Sequence, residues 1–115
     1  MSQPLAGGIH IANEVLADLA GFAAMECYGI VGMASPSLRD GVAQLLSRDK
    51  LRRGVRITTD GDGVAADLYV IIEHGTTLQQ VATNLADRVR FVLTTYADVR
   101  VVDVRVHVQG VKVHR

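Results

Sequence analysis

The chain has 115 residues, 12 basic and 12 acidic, with 49% apolar residues and one cysteine. That length fits a single domain over residues 1–115, and the apolar share excludes a disordered chain. Zero net charge weighs against a dedicated nucleic-acid binder, and Cys27 has no partner for an intrachain disulfide.

Met1-Ser2-Gln3-Pro4 lacks the basic segment and apolar run of a signal peptide. Charges interrupt every apolar stretch before the roughly 18 residues a membrane-spanning helix needs. The expected location is therefore cytoplasmic, without direct membrane insertion.

Ile9 and Ile11 flank His10 in alternation and predict a short strand. Asn13 is the expected cap of a helix to about residue 27, with Val15, Leu19, Phe22 and Ala23 as its apolar stripe. Gly29 is placed to end it, and Ile30-Val31-Gly32-Met33 reads as a short extended piece. Ser35-Pro36-Ser37 marks a break. Leu38, Val42, Leu45 and Leu46 then predict a short amphipathic helix, closed by the basic run Arg48 to Arg53.

A strand begins at Val55, and Asp60-Gly61-Asp62-Gly63 signals a hairpin turn. Val64 to His74 is the longest strand. Its alternation sends Leu68, Val70 and Ile72 one way, and Asp67, Tyr69, Ile71 and Glu73 the other. Thr77 with Gln80 has the capping-box pattern that opens a second long helix, 77–96. Leu78, Val81, Leu85, Val89, Val92 and Tyr96 are its expected buried stripe. Val102, Val104, Val106 and Val108 alternate with Asp103, Arg105, His107 and Gln109 in a final strand. The order predicts an α/β (α+β) two-layer sandwich, β-α-β-β-β-α-β. Both long helices lie on one face of a mixed sheet.

Catalytic chemistry finds little support in the pattern. His10, His74, His107 and His114 share no ligand spacing, and no metal or cofactor is expected. Asp60 and Asp62 only faintly resemble a calcium loop, since the closing glutamate position holds Ile71. Gly75-Thr76-Thr77 reads as a helix cap, not as an anion site. Cys27 lies beside Glu26 at a helix C-terminus, and both raise a thiol's pKa, so a structural role is expected. Arg48, Arg52 and Arg53, with Arg39 and Arg56, form the one basic cluster, without interleaved aromatics.

Taken together, the motifs resemble the alkaline shock protein family. Gly8-Ile9-His10-Ile11-Ala12-Asn13-Glu14-Val15 is similar to that family's G-x-I-x-I-x-x-x-V start, and Glu26 to Met33 to its E-x-x-G-V-x-G-M segment. Asp67 to Gly75 is similar to its long strand, and Val102 to Val111 to its V-x-x-V-N-V-x-V-x-G-V close. Arg105 stands where the family often has asparagine, and Asp98 where it has glycine after the second helix. The resemblance implies a bacterial envelope stress-response protein prone to self-association, in some members held near the membrane by an anchoring partner. It implies no catalytic residue.

The expected function is thus a non-enzymatic interaction or scaffold protein and homo-oligomer, with no nucleic-acid partner. The alternatives are an RNA-binding or small-molecule-carrier module using the open sheet face. The candidate interaction surface is Tyr69, Ile71, Arg105, His107, Arg48, Arg52 and Arg53, with the terminal strand's edge a second route to association.

Overall fold

The computed structural model describes residues 12–113. The strand expected at residues 9–11, with His10 and His114, lies outside the described residues. Four strands and two long helices follow: α1 Asn13–Met25, β1 Ile30–Met33, β2 Val55–Asp60, β3 Gly63–Glu73, α2 Leu78–Tyr96 and β4 Val101–Lys112. A 3₁₀ turn, Arg48–Gly54, precedes β2.

β3 is the axis of the sheet. β4 pairs with it in parallel along one edge, from Val64↔Val101 to Glu73↔Lys112. On the other edge β2 and β1 lie end to end, both antiparallel, at residues 63–68 and 70–72 of β3. Gly61-Asp62 forms the two-residue hairpin loop that the glycine pattern predicts. Leu68, Val70 and Ile72 are fully buried, under a core that also holds Leu16, Leu85, Val89 and Leu93. Both helices therefore cover one face, as the alternation of β3 requires. A tight turn joins α1 to β1, which runs against β3, and β3 leads directly into α2, so the helices are antiparallel.

The buried stripe of α1 differs from the expected one. Leu16, Ala17, Ala20, Gly21, Ala23 and Ala24 face the core, while Val15 and Phe22 are exposed and Leu19 is half-buried. An alanine-rich helix has more than one apolar side. The side that allows closest approach gains the most contacts per residue. Gly21 shows how close: a Cβ there would lie 3.2 Å from the Leu51 Cβ. In α2 the expected Val81, Leu85, Val89 and Val92 are buried and Leu93 joins them, but Leu78 and Tyr96 at its ends are exposed.

The caps also depart from expectation. Ala12, not Asn13, is the N-cap of α1, and Thr77 caps α2 without a side-chain hydrogen bond. Gly29 does end the first helical region, with φ 88°. A Cβ at Gly29 would approach Val81 Cγ2 to 2.7 Å, so both conformation and packing require glycine there.

Residues 38–46 are not helical. Arg39 and Val42 exchange backbone hydrogen bonds of 3.0 and 2.9 Å around Asp40-Gly41, whose φ values are 53° and 75°. This is a hairpin turn with positive φ at both central residues, for which Asp-Gly is the usual dipeptide. Ser35 N–H donates to Gln44 O and Leu46 N–H to Met33 O, which ties the excursion to the end of β1. Arg48, Arg52 and Arg53 belong to the 3₁₀ turn that follows, not to the end of a helix.

Asp98 adopts φ 55°, the left-handed region where glycine is favoured. Asp98→Gly is expected to raise unfolding free energy by about 0.5–1 kcal/mol, read as a higher denaturation midpoint. An unchanged or lower midpoint would contradict the strain argument.

Candidate functional site

The face of the sheet away from the helices carries a polar network built on one buried carboxylate. Asp67 on β3 points there because its neighbours Leu68 and Ala66 point into the core. In the parallel register Arg105 lies opposite Asp67, and His107 opposite Tyr69. Arg105 donates through Nε to Asp67 Oδ1 at 2.8 Å and through Nη2 to Oδ2 at 3.0 Å, a bidentate pair. Its Nη1 donates to Asp103 Oδ2 at 3.0 Å. His107 Nε2 lies 2.9 Å from Asp67 Oδ1. A carboxylate only accepts, so that nitrogen carries the proton.

The hydrogen bonds from Arg105, opposed by burial and aided by His107, hold the Asp67 carboxyl at about 2, well below its ordinary value. The same contact raises Arg105.

Above the network, the Tyr69 and His107 rings stack with centroids 4.5 Å apart and planes 12° from parallel. The Arg56 guanidinium sits 5.9 Å from the Tyr69 centroid. Arg56 comes from β2 and His107 from β4, on opposite sides of β3, so Tyr69 is flanked on both faces.

The Asp40-Gly41 hairpin lies over the other end of this face. Gln109 Nε2 donates to Ser35 O and Pro36 O at 3.1 and 3.0 Å and anchors it. Ala43 rests on Gly110, where a Cβ would come within 3.2 Å of the Ala43 Cβ. Between them runs an open groove of about 450 Å³, lined by Val31, Val42, Leu45, Ile71, Val111 and Lys112 among others.

The hairpin overturns one expectation. Ile71, expected as an exposed contact residue, is 9% exposed because residues 41–45 cover it. Tyr69, Arg105 and His107 do come together, as alternation predicts. Arg52 is elsewhere, on the helix side, where its Nε donates to Asp18 at 3.1 Å. Residue spacing alone did not single out Asp67 as the hub of the network, although its place beside Tyr69 on the polar side of β3 was readable. The Asp40-Gly41 dipeptide is the sequence signal that could have revealed the covering hairpin.

Cys27 fits a structural role. Its Sγ donates to Ala23 O at 3.5 Å, and its pKa is raised by burial first, with Arg88 lowering and Glu26 raising it. No helix among the described residues is long and apolar enough to cross a membrane.

Comparison with known proteins places this fold in a family. The profile of the alkaline shock protein family, described as having a cell envelope-related function, matches residues 2–113. YloU of Bacillus subtilis (strain 168) is 40% identical over 108 residues, covering 93% of this chain and 90% of that protein. Spy1614 of Streptococcus pyogenes serotype M6 is 32% identical over 108 residues, covering 93% and 89%. The solved chain MamM-CTD 215-293 superposes with a TM-score of 0.51 over 90% of this chain and 100% of its own, at 14% identity, which is a likeness of fold. The chain belongs to the alkaline shock protein family, whose function is related to the cell envelope.

Proposed function

We propose that the protein is a non-enzymatic, self-associating scaffold of the cell-envelope machinery that works by protein contact. It would act from the cytoplasm, held near the membrane by an anchoring partner. The observation that carries this reading is β4. It is 12 residues long, pairs with β3 along one edge and with no described strand along the other, and contains no proline. Val102, Val108 and Val111 on it are exposed, as is Val113 just beyond. Such an edge is a template for another strand unless it is blunted.

The polar network supports the same reading. A carboxylate held at about 2 is a weak base at neutral pH, far from the matched pKa that general-base catalysis favours. The groups of the network are engaged with each other, which makes the face rigid and preformed. The RNA-binding alternative needs a free aromatic platform, and Tyr69, the one aromatic ring on this face apart from the histidine, is flanked by His107 and Arg56.

Light scattering over micromolar to tens of micromolar protein tests the proposal. Wild type is expected above monomer mass, and Val108→Lys with Val111→Lys is expected to lower it. A strictly monomeric wild type across that range would overturn the self-association claim. Ile71→Glu is unsuited to this test, because Ile71 is buried and its replacement would act on folding.

A further inference from the structure

The chain has five aromatic residues, two Phe and three Tyr. Only Tyr69 belongs to the sheet. Phe22 is 55% exposed, Tyr28 81%, Phe91 52% and Tyr96 71%, and all four lie on the helices or in the turn that closes α1. The core is built instead from Ala, Val, Leu, Ile and Met. Large aromatic side chains left on one surface while small aliphatic ones fill the interior mark a contact surface, since such rings supply most of the energy of protein interfaces.

Phe91 and Tyr96 are in contact, and helix register brings Phe22 to the same side of the seam. Arg88 Nη2 donates to Glu26 Oε1 at 3.0 Å across the two helices, which marks their relative stagger. Phe22 lies one turn before Glu26 on α1, and Phe91 about one turn after Arg88 on α2. Because the helices are antiparallel, both steps lead in the same direction along the seam. The Arg88 guanidinium is 5.9 Å from the Phe91 centroid, and Tyr96 meets Phe91 edge-on at 6.4 Å and 89°. Val15 continues the α1 side two turns before Phe22 and is also exposed.

The charges around the patch identify the occupant. Arg88 is balanced by Glu26, and Arg52 by Asp18 and Glu14. A surface of balanced sign does not suit an anionic bilayer, which draws on excess Lys and Arg. An apolar centre with an acid and a base beside it is self-complementary, because in a two-fold contact residue i meets j while j meets i. We propose that the outer surface of the helix layer docks a second copy of this chain across a two-fold axis. Phe22, Phe91 and Tyr96 form its centre, and Glu26 of each copy faces Arg88 of the other. This goes beyond the strand-edge reading, since the surface belongs to the opposite layer and needs nothing from β4.

Sedimentation velocity over roughly 1 to 100 µM protein tests it. Phe22→Ser with Phe91→Ser is expected to weaken association about thirtyfold or more, the loss typical of interface hot spots, while the thermal midpoint of the dilute monomer stays unchanged. Glu26→Arg alone and Arg88→Glu alone are each expected to weaken it. An equal mixture of those two variants is expected to recover association, because each carries the charge the other lacks. A role confined to one copy would give no recovery on mixing, and that result overturns the proposal. Association that survives the serine pair but is lost with Val108→Lys and Val111→Lys overturns it too and leaves the strand-edge reading standing. Loss with the serine pair alone supports the helix-layer contact against the strand edge. A monomeric wild type overturns both. Serine variants that lose binding to phosphatidylglycerol vesicles, with self-association intact, would reassign the patch to lipid.

Discussion

Leu16→Ala is expected to lower the free energy of unfolding by about 3 kcal/mol, whereas Phe22→Ala, measured on dilute monomer, changes it by less than about 0.5 kcal/mol. Leu16 is 1% exposed and Phe22 55% exposed, on the same helix. Deleting the Leu16 side chain removes transfer free energy and opens a cavity between α1 and the sheet. Surrounding atoms in a close-packed core relax into such a cavity only in part. Phe22 loses little because most of its ring already meets water. Urea denaturation of the two variants gives the comparison directly. Similar losses in both, or a larger loss in Phe22→Ala, would mean that the helix presents its Val15–Phe22 side to the core after all.

Asp67→Asn is expected to cost about 1 kcal/mol at pH 7, after solvent screening of the half-exposed Arg105, and close to nothing at pH 2. The sign follows from linkage. The folded carboxyl is depressed to about 2 from 3.8, so the unfolded chain binds the proton more readily. The stabilisation is fully present above the unfolded value and is lost as pH falls through the folded one, in the window between about 4 and 2. The Asp67 side chain is 11% exposed but its partner Arg105 is 48% exposed, so solvent screens the pair in part and the stability effect falls below the full shift. Wild type is therefore expected to show an acid limb in its stability profile over that window, and the asparagine variant a shallower one. Arg105→Leu acts in the same sense: it removes the main cause of the depression, so the folded carboxyl rises toward or past its ordinary value and the acid limb becomes shallower or reverses. Parallel acid limbs in wild type and Asp67→Asn would show that the network contributes nothing to folding.

Much of the site was legible from alternation alone. Strand periodicity is two residues, so the side of Asp67, Tyr69, Arg105 and His107 follows from Leu68, Val70, Val104 and Val106 without any tertiary information. The four ordered motifs carried the family as well, because turn glycines such as Gly29 answer to local backbone geometry and to close packing that few other residues allow.

What the chain order could not decide was which of several compatible surfaces would be covered. For α1, two apolar sides satisfy helical periodicity, and the closer approach of Ala17, Ala20, Gly21 and Ala24 to the sheet and to Leu51 selected one of them. For β3, the excursion that follows β1 folds back onto the open face, where residues 41–45 cover Ile71, a contact made between segments distant in sequence. Periodicity reports which side chains share a side of an element. Burial depends on what else reaches that side, and only the packing of the whole chain determines it.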